Sequence, residues 1–477
     1  MVEETGCLDE ASSSPTGDSY AWRNGEPLLR PVACEPLTRL VGLVETGRLM
    51  RENPMSILPG ALFRQTRLSG PHFGRSIHEV SGPAEMKSIL LDNYEAWRKS
   101  PLIMRMLRPI LGEAILTAHG ENWHRQRKSL QPAFLRRRIE GFAPIMAEVA
   151  QTTALRLSAE DQPVEIQAVL NDATFSVIER VLFSDAQAFD RVRVRSAIEV
   201  ILAETGTLRM SDLLPAPEWI PRLMSARALR ARHVFRKAAM AQIRRRRESG
   251  NSGDDLLGLL LELRDPETGD GLSDRDIRDT VMTFIAAGHE TTAIALTWAL
   301  YLVASDAPTQ KRLRAEATEA MAHGRALSAA DLPRLTFSRQ VIEEAMRLYP
   351  PAPILGRRAI AETEICGHPV KKGDVALLAF YALHRHETLW EQPDHFDPDR
   401  FSPERRPKDR YQFMAFGGGP RACIGANFAL MEATIFLSTL VAKLGFTPVE
   451  GHDVYPVMQV TLRPRGGMAL NIQTLRN

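Results

Sequence analysis

The chain predicts a mostly α fold with small β-sheets, and three observations carry that expectation. Apolar residues recur at i, i+3, i+4 and i+7 through most of the long segments, with Pro and Gly between them. Alternating, strand-like runs are short and confined to a few places. One helical pattern is long enough, and apolar on enough sides, to be a spine enclosed by other helices. Composition agrees with a soluble protein that has a sizeable core, since 44% of the 477 residues are hydrophobic and 25% charged. The formal net charge of +2 argues against a surface devoted to nucleic acid or to an anionic membrane.

In chain order, the first twenty residues carry five acids (Glu3, Glu4, Asp9, Glu10, Asp18), no Lys or Arg, and the tract Ser12-Ser13-Ser14-Pro15-Thr16-Gly17. Such a stretch buries too little apolar surface to offset its ordering entropy, so residues 1–30 are predicted to be a disordered acidic tail. No apolar segment follows a basic start, which predicts neither signal peptide nor anchor, and hence a cytoplasmic protein. Two strand-like runs lie in Ala61–Ser81 around Gly70-Pro71. Helical periodicity follows in Glu140–Ser158, Val164–Leu182 and Ala226–Glu248, whose last turn, Arg244 to Arg247, reads as a solvated helix end. Ser273-Asp274-Arg275-Asp276 has the form of a capping box, and the helix it starts runs to Ala307-Pro308, roughly 50 Å at 1.5 Å per residue. His289 and Glu290 at mid-span make it a buried helix rather than a membrane span. Further helices are predicted at Thr309–His323 and Asn427–Leu444, and short strands within Arg357–Ile365, His368–Phe380 and Val454–Ile472. Four cysteines (Cys7, Cys34, Cys366, Cys423) with no close pair suit a reducing compartment.

The strongest chemical signal is Phe416-Gly417-Gly418-Gly419-Pro420-Arg421-Ala422-Cys423-Ile424-Gly425. A Gly-rich loop delivers a Cys to the start of an amphipathic helix, where backbone N–H groups and the helix dipole stabilise a thiolate. The glycines let the backbone approach something large and flat, and Arg421 can pair with an anion beside it. Haem ligation by Cys needs those features. A buried structural Cys is the plainer alternative. A phosphate loop is a second, weakened by the absence of Lys-Ser/Thr after the glycines.

The segment resembles the haem-binding signature of the cytochrome P450 family, Phe-x-x-Gly-x-Arg-x-Cys-x-Gly, with Phe416, Gly419, Arg421, Cys423 and Gly425 in the fixed positions. Ala415 departs from it, standing where many members have Pro. The resemblance runs from about Thr38 to Leu470. It implies one haem domain over 31–477, a triangular helical prism with haem b (iron protoporphyrin IX) between the long central helix and the Cys-loop helix. Cys423 would be the iron ligand, with Arg421, Phe416, Gly417 and Gly425 around the cofactor. Glu344-x-x-Arg347 and Arg400, in the later Phe396-to-Phe401 stretch, match the family's buried structural network. Trp123, Arg127 and Arg357 match its propionate-binding positions.

In the long helix, Ala287-Gly288-His289-Glu290-Thr291-Thr292 places Gly and Thr where both lower helix propensity and where Thr can bond back to a carbonyl one turn earlier. By resemblance this is the oxygen-binding groove. Thr291 is its alcohol, Glu290 the acid that delivers protons, and Ala287 and Gly288 lie over the haem.

The resemblance implies a haem-thiolate monooxygenase that inserts one atom of O2 into a lipophilic substrate such as a fatty acid or terpenoid. Only 54 residues follow Cys423, so electrons from NAD(P)H are expected through a separate ferredoxin and ferredoxin reductase, with Arg125, Lys128 and Arg136 as a basic docking face on a monomer. Substrate-lining positions, also by resemblance, are Leu102, Ile103, Met104, Leu107, Phe284, Ile354, Leu355, Val457 and Met458, with no charge forced inward. A peroxygenase or isomerase, and a haem-binding sensor without turnover, are the alternatives. His384 and His386 read as an ordinary strand-to-loop segment rather than a metal pair.

Overall fold

The computed structural model describes residues 22–475, apart from 24–25, 40, 73, 185–189, 207–221, 251–252 and 265–268. Most of the acidic tail, 1–21, lies outside the described residues. In the rest of that segment Trp22–Arg23 pairs with Glu26–Pro27, and the Phe396 N–H donates to the Leu29 carbonyl.

The Ala61–Ser81 region becomes a hairpin of β1 (Arg67–His72) and β2 (Arg75–Val80). Its turn falls at Gly74, which has φ +75°, rather than at Gly70-Pro71. Pro71 sits inside β1, which is tolerable because β1 is an edge strand whose outer donors are not needed. The sheet continues with three short strands, β3 (Trp97–Lys99), β4 (Leu355–Ala359) and β5 (Val375–Leu378), in the order β1-β2-β5-β4-β3. Only β2 and β5 run parallel. Register puts Lys99 directly opposite Arg357, so two cationic side chains share one face of the sheet.

The helices that frame the site are α1 (Pro101–Leu111), α2 (Gly120–Leu130), α3 (Ala143–Ala159), α4 (Ile166–Phe183), α5 (Arg191–Gly206) and α6 (Ala226–Ser249). They are followed by α7 (Asp274–Ser305), α8 (Ala307–Ala320), α9 (Thr336–Leu348) and α10 (Ala426–Lys443). The predicted capping box forms: Ser273 Oγ accepts from the Asp276 N–H at 3.1 Å and Asp276 returns the bond. At 32 residues α7 is the predicted spine, and Ile294, Leu296, Trp298, Leu300 and Leu302 are fully buried along it. Each such side chain contributes about 1.5–3 kcal/mol relative to exposure. Trp298 stacks on Tyr349 at 3.9 Å and donates to the Leu462 carbonyl, tying the spine to the last hairpin. That hairpin is β6 (Pro456–Met458) and β7 (Leu462–Pro464).

The end of α6 is solvated at Arg244, Arg245 and Arg247, the last pairing with Asp274, while the half-buried Arg246 grips the buried Asp255. Among the described residues one helix, α10, is long and apolar enough to cross a membrane, and it packs mostly inside the protein.

Candidate active site

The loop ahead of α10 folds back on itself. Gly417 N–H donates to the Met414 carbonyl and Cys423 N–H to the Phe416 carbonyl, both at 2.9 Å. Gly417 and Gly419 have φ of +69° and +66°, where a side chain is strained. At Gly419 space is denied as well, since a Cβ would lie 1.8 Å from the Leu90 carbonyl oxygen. The loop's root is held by His384, whose Nε2 accepts the Met414 N–H at 2.8 Å. Burial, with Arg347 and Arg385 nearby, pushes that imidazole far below its ordinary range and keeps it a neutral acceptor.

The His384 carbonyl in turn receives Arg347, and here the predicted network appears whole. Arg347 spends all five guanidinium N–H groups: two on Glu344 (2.7 and 2.8 Å) and three on the carbonyls of His384, Pro393 and His395. Arg400 reaches the same Glu344 oxygen at 3.3 Å, and the Asp397 N–H adds a bond at 2.9 Å. Both Glu344 and Arg347 are fully buried. Their role is to hold the chain around His384 and Pro393, and through His384 the root of the Cys loop.

Cys423 has many protein atoms around it yet is accessible to solvent. Burial pushes its thiol up, while the Gly425 N–H and the charge of Arg127 act against that. Arg127 donates to the Ala422 carbonyl at 3.0 Å, and Arg421 donates to the Ala118 carbonyl while its guanidinium lies over Trp123 at 4.2 Å. Beside this loop, cations gather on one another. Burial and Arg421 push Arg357 down to about 10, burial and Arg98 push Arg421 to about 10, and burial with Arg357 and Arg421 pushes Lys99 well below its ordinary value. His119, with neither ring nitrogen hydrogen-bonded, is driven to about 3 by burial and the same cations. Trp123, Arg127, Arg357 and Arg421 thus meet as predicted. Lys99 and His119 are additions that sequence reasoning missed, because their neighbours come from other strands and loops.

On α7 the otherwise buried helix opens at Ala287, which is exposed, and at Gly288 and Thr291, which are half-buried. The Thr291 hydroxyl donates to the Ala287 carbonyl at 2.7 Å. A Cβ at Gly288 would point to Ile178 of α4 at ordinary contact distance, so this residue contributes backbone, not a side-chain direction, to the groove. Glu290 and Thr291 diverge: the Glu290 carboxylate leaves the helix for Thr461 Oγ1 (3.0 Å) and the guanidinium of Arg463. A second acid was missed. Glu432, alone among apolar neighbours of α10, accepts a bond from Thr292 and is pushed by burial up to about 8. Its Oε1 has no hydrogen-bond partner. A single Glu in an apolar helix was the available signal.

Of the predicted pocket positions, Leu102, Ile103 and Leu107 on α1, Ile354 and Leu355 at β4, and Val457 and Met458 on β6 are half-buried. Met104 and Phe284 are buried, Phe284 edge-on to Phe134 at 5.3 Å. Arg105, beside Met104 on the same helix, is buried as well.

A thiolate-capable Cys on a Gly loop, an accessible stretch of a long buried helix, and a nest of cations fit a haem. The cations would meet its two propionates, and Cys423 its iron. This is the architecture of a haem-thiolate protein. A family model for cytochrome P450 matches residues 73–470. Cyclooctatin synthase of Streptomyces melanosporofaciens is 32% identical over 388 residues, covering 79% of this chain and 82% of that protein. A cytokinin hydroxylase of Arabidopsis thaliana is 32% identical over 399 residues, covering 82% and 77%. The crystal structure of the cytochrome P450DA heme domain superposes with a TM-score of 0.75 at 26% identity, covering 86% of this chain and 90% of the other. The chain belongs to the cytochrome P450 family, and as an enzyme it is a cytochrome P450 monooxygenase.

Proposed function

We propose that residues 31–477 form one haem domain that hydroxylates or epoxidises a lipophilic substrate, a fatty acid or terpenoid, in the cytoplasm. Electrons come from NAD(P)H through a separate ferredoxin and its reductase. The observation that carries the reading is Cys423 itself, on its glycine loop beside Arg127 at the edge of a cluster of partly buried cations. A thiolate-bound haem supplies oxygen activation, the thiolate favouring O–O cleavage. The protein's part is to place and protect. Trp123, Arg127, Arg357 and Arg421 bind the propionates, and Ala287 and Gly288 leave room over the cofactor face. Thr291 holds water in the groove, and Glu290 is the acid that passes protons to it. The half-buried aliphatic positions on α1, β4 and β6 favour an apolar substrate. A bacterial relative named cyclooctat-9-en-7-ol 5-monooxygenase, 34% identical, supports a monooxygenation of that kind. Arg125, Lys128, Arg136 and the adjacent Arg137 and Arg138 are exposed and suit an acidic partner.

The test is a reduced, carbon-monoxide-bound difference spectrum of the wild type beside Cys423→Ser, followed by NADPH-dependent product formation with a surrogate ferredoxin and reductase. A strongly red-shifted Soret band lost in Cys423→Ser, with product that requires O2, is the expected result. A histidine-like band, or turnover with peroxide alone, overturns it. Charge reversal at Arg136 and Arg137 should raise the apparent KM for ferredoxin and leave haem content unchanged.

A further inference from the structure

The acid on α7 is held from outside its own helix. Glu290 is 5% exposed, and Thr461 and Arg463 both donate to the same carboxylate oxygen, Oε1. These donors belong to the β6–β7 hairpin, more than 170 residues along the chain. Within that hairpin Arg463 stands directly opposite Val457. Residues directly opposite in an antiparallel pair project to the same face, with Cβ atoms about 4.5–5.5 Å apart. A molecule resting on Val457 therefore rests beside the side chain that holds Glu290.

Hydrogen bonds hold both strands where they meet the turn. Leu462 is bonded on both sides, its carbonyl receiving Trp298 of α7 at 2.9 Å and its N–H reaching the Pro351 carbonyl at 3.1 Å. On the other strand, Asn53 takes the Met458 N–H at 3.1 Å and donates to the Pro456 carbonyl at 3.0 Å. The tip closes with Gln459 N–H on the Thr461 carbonyl at 3.0 Å and abuts Gly206, the last residue of α5, where an added Cβ would lie 2.9 Å from the Gln459 Cβ. A ligand on Val457 would meet the Arg463 side chain across the strand pair.

We propose that Arg463 is the positioning residue for Glu290, and that the β6–β7 hairpin couples occupation of the substrate pocket at Val457 to where the Glu290 carboxylate points. This rests on the reading of Glu290 as the proton-passing acid. In the resting arrangement Arg463 and Thr461 draw the carboxylate away from Thr291. Displacement of the hairpin loosens that hold and lets the carboxylate turn toward the groove, so that proton supply follows substrate binding.

The experiment uses the haem-loaded protein with its surrogate ferredoxin and reductase, and lets a larger side chain stand in for a ligand. Arg463→Gln, Arg463→Lys, Glu290→Gln, Val457→Phe and the double variant Arg463→Gln/Glu290→Gln are compared at matched haem content and thermal midpoint. Two readouts are taken: hydrogen peroxide released per NADPH consumed, and the infrared carboxylate band that vanishes in Glu290→Gln. Arg463→Gln and Val457→Phe should shift that band in the same direction and change peroxide yield by at least about twofold, the low end for groups sharing one hydrogen-bond network. Arg463→Lys should restore both readouts, and the double variant should match Glu290→Gln alone. An unmoved band in Arg463→Gln, or additive effects in the double variant, would overturn the positioning role, and an unmoved band in Val457→Phe would overturn the coupling. If Arg463→Gln does not fold, Arg463→Lys and Val457→Phe still decide through the band. If Glu290→Gln leaves peroxide yield unchanged while the band still answers to Arg463, the proton-passing reading falls and the pairing stands.

Discussion

Replacing Glu432 by Gln should make the protein more stable at alkaline pH and leave it nearly unchanged at acidic pH. Glu432 is buried on α10, shares a hydrogen bond with Thr292, and has its carboxyl pushed from 4.5 to about 8 by burial. Below pH 4.5 the folded and unfolded chains both hold the proton, and the group contributes no pH dependence. Between 4.5 and about 8 the unfolded chain has released it and the folded chain has not, so stability falls as pH rises, by about 1.4 kcal/mol per unit. Over the whole interval the loss reaches about 5 kcal/mol, a ceiling that local admission of water lowers. Gln keeps the shape and an acceptor for Thr292 but has nothing to ionise. Urea unfolding of the haem-loaded wild type and Glu432→Gln, compared from about pH 5 to pH 9, measures the difference directly. The two stabilities should coincide at the acidic end and separate by several kcal/mol, in favour of the variant, at the alkaline end. A gap that stays constant to within about 0.5 kcal/mol would refute the reasoning, because it would mean that Glu432 ionises in the folded state as readily as in the unfolded one.

Two further outcomes follow from the haem-binding elements. Gly419→Ala should abolish the thiolate-type carbon-monoxide spectrum, because its Cβ meets the Leu90 carbonyl and its φ is left-handed; Gly417→Ala, left-handed but with open space around it, should cost only about 1 kcal/mol and keep the spectrum. Lys99→Met should raise the stability of the haem-free protein by removing a desolvated cation opposite Arg357. The same change should speed haem transfer to apomyoglobin by roughly tenfold or more, the worth of one charge-assisted hydrogen bond; equal haem retention, or a less stable haem-free protein, would contradict the assignment of Lys99 to the cluster.

Much of this molecule could be read from local pattern. The spine α7 was legible because its capping box and its apolar circumference are properties of consecutive residues. The Cys loop was legible for the same reason: left-handed turns at Gly417 and Gly419 are demands of the backbone itself. The β1–β2 turn was misplaced because Gly70-Pro71 looks like a turn in isolation, and only the sheet order shows that β1 is an edge strand in which Pro71 forfeits nothing.

The sequence by itself, through its resemblance to the family, pointed to the class of protein, to Cys423 as the expected iron ligand, and to the network of Glu344, Arg347 and Arg400, since each stands in a short motif. Tertiary structure alone decided what surrounds them. Lys99 and Arg357 become neighbours through strand register. The Glu290 carboxylate turns to Arg463, a partner 173 positions away, and Glu432 meets Thr292 across two helices. A charged or polar group buried in the core takes whatever partner packing brings within hydrogen-bond reach, and no periodicity along the chain encodes that meeting.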